Sequence, residues 1–444
     1  MQETYFYFIV TISLIYLLYK FRTEKMAWFI ILIYYNGLFS FFGANIWNFY
    51  KIILFIISFF MLFGNRLYRQ FEISKVKTAF NVFSIFFILL SIINGDYFFI
   101  IFSQYAKYFV LFFIFLFLYK NKNKPEFKKL LEQVVSNLLI VQIILTMCKF
   151  ATIGITESVV GSISWQGGAT ATTLPLLGFI FIWLKNGGQL KRNDWFIIAG
   201  LMSIGYVSLK RAIWFFAPIV IILFLIYVPG RKISFRSIIL GILAFPLVFY
   251  LGVRLNPTLN RDGIIWGSFD IEYSIEYAQM YMYGKDVENK DSKILYGRGN
   301  ATIGILNNLI DGTVKQEDWL GYGLIPMYTT DYEQFGEFGF GLNHKGSATG
   351  MFQTKITHGY LGIIILLLFV GALVYKIKHA RIRNAIIVFF IWEYFFYTGS
   401  ILRETSLAFL FVYIIVFADQ YAIEIRQKNN KLIISNETKT EFPN

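Results

Sequence analysis

The chain is short of charge. Only 15% of its 444 residues are Asp, Glu, Lys or Arg, against 57% hydrophobic and 20% aromatic. A water-soluble fold of this length cannot cover its surface with so few ionised groups, which excludes the soluble globular class. Cysteine is almost absent: the one present, Cys148, lies in an apolar run, so there is no disulfide framework and no cysteine-based metal site. Also missing are the short motifs of many soluble catalysts. There is no glycine-rich P-loop, no HExxH, no CxxC, no GxSxG, and no DxD-like carboxylate pair in the short connections. Nothing here calls for a nucleotide, a metal or another cofactor. The first residues carry no basic n-region and no small-residue cleavage site, so the first apolar run is expected to be a retained span. Internal repeats and low-complexity tracts are not evident.

What is present is apolar sequence in helix-length pieces, with a mean hydropathy of +0.56. Runs fall at about 4–19, 26–46, 50–64, 78–94, 97–119, 131–149, 171–184, 195–209, 212–228, 238–253, 357–375, 385–400 and 405–421. They predict an all-α polytopic membrane protein with about 12–14 transmembrane helices, since a full crossing takes roughly 20 residues. The connections alternate in charge. Those near 20–25, 66–77, 120–129, 185–192, 231–236 and 376–383, together with the C-terminal stretch, hold most of the 41 Lys and Arg residues. The others are short and nearly neutral. By the positive-inside rule the basic set is cytoplasmic, the N-terminus faces out and the C-terminus in. The net charge of +14 is therefore a topology signal and not a nucleic-acid footprint.

One connection differs. The expected organisation is an N-terminal transmembrane bundle over 1–253, a large extracytoplasmic loop over 254–356, C-terminal transmembrane helices over 357–421 and a cytoplasmic tail over 422–444. The loop holds most of the acidic residues, several Trp and Tyr, and helical-looking stretches. A connection of that length is usually functional or disordered, and its aromatic content favours an ordered, functional segment containing short helices.

Candidate residues follow from where charge sits against the apolar background. Lys210 and Arg211, in GYVSLKRAIWFF, stand side by side at the mouth of a span on the outer side. Cations there are either lipid-headgroup anchors or an anion clamp, and guanidinium pairs with phosphate in a bidentate fashion. Arg298, in LYGRGN, is a second outward cation, and a surface role is the plainer alternative. His344, in GLNHKG, and His358, in THGYLG, stand near and at the mouth of the next span. An imidazole suits a general base for a sugar hydroxyl, with a structural role as the alternative for each. His379 falls in a basic cytoplasmic connection. Within the spans, Gln104, Lys107, Glu132, Gln133, Gln142 and Glu393 stand out. Polar glue between helices is the commoner use of such residues, but Lys107 is too near mid-span to snorkel cheaply and ranks first.

Three segments resemble one family. "SLKRAIWFFAPIVIILFLI" resembles the Ser-x-Ser-Arg-Gly-x-x-Leu segment of the O-antigen ligase and O-antigen/capsule polymerase (Wzy-type) superfamily. "YGRGNATIGILNNLIDGTVKQEDWLGYGLIP" is similar to that family's large-loop segment, and "NHKGSATGMFQTKITHGYLGIIILLLF" to its His-Asn segment leading into the following span. Together they cover about 160 residues, from Ser208 to Phe369. The sequence departs from the pattern in having Lys210 where a small or polar residue is usual and Ala212 where Gly is usual. Counted back from Gly359 and Gly362, the family's His-Asn pair falls on Ala348 and Thr349.

The resemblance implies a bacterial inner-membrane glycosyltransferase that polymerises undecaprenyl-pyrophosphate-linked oligosaccharide repeat units without a metal. It implies Arg211 and Arg298 as pyrophosphate contacts, with Lys210 and Lys107 as further cations, and His344 as the base with His358 as the fallback. A lipid-linked oligosaccharide would serve as donor and acceptor, and a chain-length regulator is a possible partner. An O-antigen ligase acting on lipid A-core shares donor and chemistry. A lipid-linked glycan flippase is the alternative from a different class; it predicts repeated halves, which are not visible.

Overall fold

In the computed structural model the described residues are 2–64, 68, 74–164, 168–188, 190–227, 246–247, 249–257, 259–283, 298–312, 315–328 and 348–440. Every regular element among them is helical. Helices α1 (Gln2–Lys20), α2 (Lys25–Tyr34), α3 (Asn36–Phe41), α4 (Ala44–Gly64), α5 (Ser74–Ile93) and α6 (Phe98–Asn121) come first. Next are α7 (Pro125–Ile153), α8 (Thr170–Lys185), α9 (Arg192–Val207) and α10 (Arg211–Tyr227). Shorter helices follow: α11 (Ile271–Tyr283), α12 (Arg298–Ile310), α13 (Gln316–Leu320) and α14 (Ile325–Tyr328). The chain then returns through α15 (Gly350–Val374) and α16 (Ala380–Ile391), a π-helical turn (Trp392–Phe396), α17 (Ser400–Arg403) and α18 (Thr405–Thr440).

Six of the described helices are long and apolar enough to cross a bilayer: Asn45–Gly64, Lys75–Ile93, Phe98–Asn121, Pro125–Ile153, Gly350–Val374 and Thr405–Gln427. Three shorter apolar helices accompany them, Lys25–Tyr34, Thr170–Lys185 and Ala212–Phe224. The chain is thus an all-α, multi-pass membrane protein. The expected span at 238–253 lies largely outside the described residues. Two expected spans are broken. The run 26–46 divides at Tyr35 into α2 and α3, and 385–400 passes through the π turn into a non-helical stretch at Tyr397–Gly399. The last helix continues well past 421, to Thr440, because no Gly or Pro interrupts that stretch.

Two helices form the centre. Within their apolar windows α6 and α18 are each 83% buried, whereas α4 and α5 are 28% and 33% buried and present most of their surface outward. In hydrocarbon no water is at hand to satisfy a free backbone group, so each break needs an internal partner. The break at Tyr35 receives one from the connection between α7 and α8. Gly37 N–H donates to the Ser162 carbonyl at 2.7 Å, and Ser162 Oγ donates to the Tyr34 carbonyl at 2.9 Å. Gln142 holds that inserted segment from both sides of its amide. Its Oε1 accepts from Ser162 N–H at 2.8 Å and its Nε2 donates to Ser162 Oγ at 2.7 Å.

The break in α15 is at Gly359, whose φ of 66° and ψ of −166° are outside helical space. A strap formed by α13 and α14 enters the notch so created. Tyr322 N–H donates to the Ile356 carbonyl at 2.6 Å, and Lys355 pairs with Asp318 at 2.5 Å. The far side of the strap is tied to the α5–α6 turn, where the Asp96 carboxylate accepts from Leu324 N–H at 2.7 Å and 2.9 Å and from Ile325 N–H at 3.2 Å. A Cβ at Gly359 would meet the Trp319 carbonyl, in addition to the strain of a positive φ. Gly359→Ala should therefore cost on the order of 2 kcal/mol or more and expose 316–328 to protease. Gly371, on the same helix with open space around its Cα, serves as the control. Equal melting temperatures and equal cleavage for Gly359→Ala and Gly371→Ala would rule out the notch.

Candidate functional site

The bundle end that carries the strap also buries an unusual set of charges. Lys51 of α4 and Lys107 of α6 are only 5% and 8% exposed. By helical rise they stand roughly 10 and 14 Å down their helices from that end. Between them lies the Trp47 ring, 3.2 Å from Lys51 Nζ and 5.9 Å from Lys107 Nζ. The Tyr328 ring at the end of the strap lies 5.2 Å from Lys107 Nζ on another side. Arg403 and Glu404, at the α17–α18 junction, complete the group. Each lysine feels Arg403 and Glu404, and Lys51 feels Lys107.

The local bonds show what these charges do not do. Lys51 Nζ donates to Asn48 Oδ1 at 3.1 Å, Lys107 Nζ to Gln104 Oε1 at 2.7 Å, and Arg403 Nη1 to the Thr398 carbonyl at 3.4 Å. Glu404 Oε2 accepts from Asn36 Nδ2 at 3.3 Å, and Asn36 Oδ1 in turn accepts from Trp47 Nε1 at 2.7 Å. Among the described residues none of the three cations has a carboxylate within 4.0 Å. Buried cations are normally paired, because desolvation is costly. Three gathered around one carboxylate, without direct pairing among the described residues, have the charge to receive an anion.

Two of the breaks border this group. Asn36 opens α3 just after the Tyr35 break and also donates to the Ile163 carbonyl of the inserted segment at 3.4 Å. The π turn supplies Glu393, whose Oε1 accepts from Ser400 N–H at 2.5 Å and Ser400 Oγ at 2.7 Å, closing the loop that leads to Arg403. Interrupted helices that meet at membrane depth recur where ions and anionic substrates bind. A cavity of about 20 Å³, room for one water, is lined by Tyr108, Tyr328, Gln353, Thr354, Thr357 and Arg403 among others. Gln353 Oε1 and Arg403 Nε, both beside it, have no hydrogen-bond partner among the described residues.

The residues singled out from sequence fall in different places. Lys107 is at the heart of the cluster. Lys210 pairs with Glu157 at 2.8 Å, a carboxylate 53 residues upstream that local sequence gave no reason to place there. Arg211 and Arg298 are each the first residue of a helix, α10 and α12, and only these backbone positions are described. Both helices dock on the π turn. The Phe216 ring of α10 lies 4.2 Å from that of Trp392 at a tilt of 42°, and Thr302 Oγ1 of α12 donates to the Phe395 carbonyl at 2.7 Å. His344 lies outside the described residues. His358 is 6% exposed, with Nδ1 2.9 Å from Thr357 Oγ1, Nε2 3.3 Å from Ser91 Oγ and its ring 4.3 Å from Phe87. It lines a second cavity of about 20 Å³ that adjoins the first through Tyr108, Thr354, Thr357 and Leu366. Gln142 and Glu132 act between helices, Glu132 accepting from Tyr421 at 3.0 Å, and Gln133 takes no part in the cluster's bonds. His379 caps α16 at the opposite end.

Lys51, Arg403, Glu404 and Asn36 were not foreseen. Lys51 follows a Tyr at the edge of an apolar run and Arg403–Glu404 occupy a four-residue gap between two runs, so all three look like span termini. The one available signal was that this gap joins a cation to a carboxylate on the side where short connections are otherwise nearly neutral.

Comparison of the chain with protein-family models, with curated proteins and with solved structures finds no match.

The charge imbalance has a measurable consequence. Removing one of three mutually repelling cations should leave stability unchanged or raise it, whereas removing the lone carboxylate should lower it. The loss for Glu404→Gln should be about 1–3 kcal/mol, below that of a directly paired buried charge. Thermal unfolding of Lys107→Met and Glu404→Gln in detergent tests the sign. A destabilised Lys107→Met beside an unaffected Glu404→Gln would show that the cations are neutralised by other means.

Proposed function

We propose that the chain is a membrane glycosyltransferase that polymerises undecaprenyl-pyrophosphate-linked oligosaccharide repeat units into O-antigen or capsular polysaccharide at the outer face of the bacterial inner membrane. The observation that carries this reading is the carboxylate-poor set of buried Lys51 and Lys107 and half-buried Arg403 beneath an aromatic strap. A lipid-linked diphosphate is an anion delivered at membrane depth, and three fixed cations offset its charge as it becomes a leaving group. On this view the strap end faces out, which agrees with the charge alternation of the connections.

An apolar groove supports the same substrate. It measures about 380 Å³ and runs along the seam of α5 and α15, lined by Lys75, Thr78, Ala79, Val82, Ile365 and Leu368. Ile365 also borders the His358 cavity, which leads on to Arg403. A polyprenyl chain on that seam would end at the cations. Arg211 and Arg298, at the starts of two helices that dock on the π turn, are the further pyrophosphate contacts that the resemblance implies. Lys210, tied to Glu157, steadies the start of α10. His344 retains the role of base, and His358, wedged between Ser91 and Phe87, is assigned to positioning.

The test is synthesis of a polysaccharide ladder by purified protein from a lipid-linked repeat unit. The wild type should yield a ladder with chelator present. Lys107→Met, Arg403→Gln, Arg211→Ala and Arg298→Ala should each lower the rate by about 100-fold or more at equal folded protein, the scale for losing one charge-stabilising group. His344→Ala should abolish it and His358→Ala should reduce it through stability. Ladders at the wild-type rate from both Lys107→Met and Arg403→Gln would sink the proposal. Transfer of preformed polymer to lipid A-core without laddering would identify a ligase on the same donor.

A further inference from the structure

We infer that Glu404 weakens the hold of the charged site on the spent lipid diphosphate, which carries more negative charge than the donor. This rests on the polymerase reading above and assigns a selective role to a residue that makes no covalent step. The described cluster sets one carboxylate among three basic side chains. The donor is a pyrophosphate diester, with one ionised oxygen on each phosphorus, so it brings two negative charges.

Transfer changes that count. The acceptor hydroxyl oxygen bonds to the anomeric carbon, the bond from that carbon to the phosphate oxygen breaks, and the bonding pair leaves with the diphosphate. The hydroxyl proton passes to the base. The terminal phosphate, now held only through the anhydride bridge, has a further ionisation near pH 6, close to that of phosphate monoesters, and at neutral pH the diphosphate gains most of a third charge. The added charge faces a site that holds a carboxylate among its cations.

The geometry leaves Glu404 able to act in this way. It forms no ion pair within 4.0 Å among the described residues, so its charge is not spent on one partner. Asn36 holds Oε2, and Trp47 holds Asn36 in turn. The carboxylate is thereby fixed in the same wall as the Lys51 and Lys107 ammonium groups. A residue present only to steady the fold would more economically be paired with Arg403, its chain neighbour. Without Glu404 the three cations would hold the diphosphate product more tightly than the donor, and turnover would be limited by release.

Two probes that differ by one charge separate the roles: undecaprenyl diphosphate and its methyl ester at the terminal phosphate. Their binding is measured at pH 7.5 to the wild-type protein and to Glu404→Gln, Glu404→Asp and Lys51→Met. Glu404→Gln should tighten the free diphosphate by about 10-fold or more while changing the ester by less than about threefold, as expected for removing one like charge at close range. Glu404→Asp should restore the wild-type preference. Lys51→Met should shift it further toward the ester, a readout that survives if Glu404→Gln does not fold. Equal effects of Glu404→Gln on both probes, or of Lys51→Met where only that variant folds, would overturn the inference and leave the polymerase reading standing. Failure of the wild type to bind either lipid would remove that reading and the inference with it.

Discussion

A polar group inside a hydrocarbon layer must find its partner within the protein. Most of the unusual features of this chain follow from that requirement. Where α2 gives up its helical bonds at Tyr35, the α7–α8 connection is drawn in to replace them, and Gln142 is placed to hold that connection. Where α15 opens at Gly359, the strap fills the gap with its own backbone. Where α16 ends in a π turn, Glu393 caps the next helix through Ser400. Each repair introduces polar atoms at depth, and together they build a polar interior at one end of an otherwise apolar bundle.

The charges gathered there follow a different logic. Lys51, Lys107 and Arg403 are held by neutral acceptors, namely Asn48, Gln104 and the Thr398 carbonyl. Such bonds orient a cation without neutralising it. At the opposite end of the bundle Lys128 shows the contrast, since it sits 2.6 Å from Glu424 and 3.7 Å from Glu132. That lysine fastens helices together. The Lys51–Lys107–Arg403 group holds unspent positive charge in a place where doing so lowers stability, which is the trade expected of a binding site.

The architecture was legible where the signal is local. Apolar runs marked the helices, and the depth of Lys107 in an apolar stretch singled out a residue that lies within the charged group. What could not be read was anything that depends on distant segments meeting. Glu157 and Lys210 are 53 residues apart and Asn36 and Glu404 are 368 apart, and nothing in either sequence neighbourhood points to the other. The breaks were hidden for a related reason. Tyr35 is an ordinary residue in an apolar run, and only the inserted Ser162 makes its break affordable. Gly359 did mark a departure from helix, but glycine is too common in membrane helices for that to be decisive.

The docking of the strap divides the long connection between α10 and α15 into two kinds of sequence. Residues 318–328 are committed: their backbone is part of α15 and the α5–α6 turn, and Tyr328 is part of the wall around Lys107. Changes there reach the charged interior. Among the described residues, the rest of that connection makes none of these anchoring bonds, which lie within 318–328. Substitutions outside the strap can therefore leave the wall where it is. Under that division of labour, a change of sequence reaches the charged interior through the strap before it does so through the residues around it.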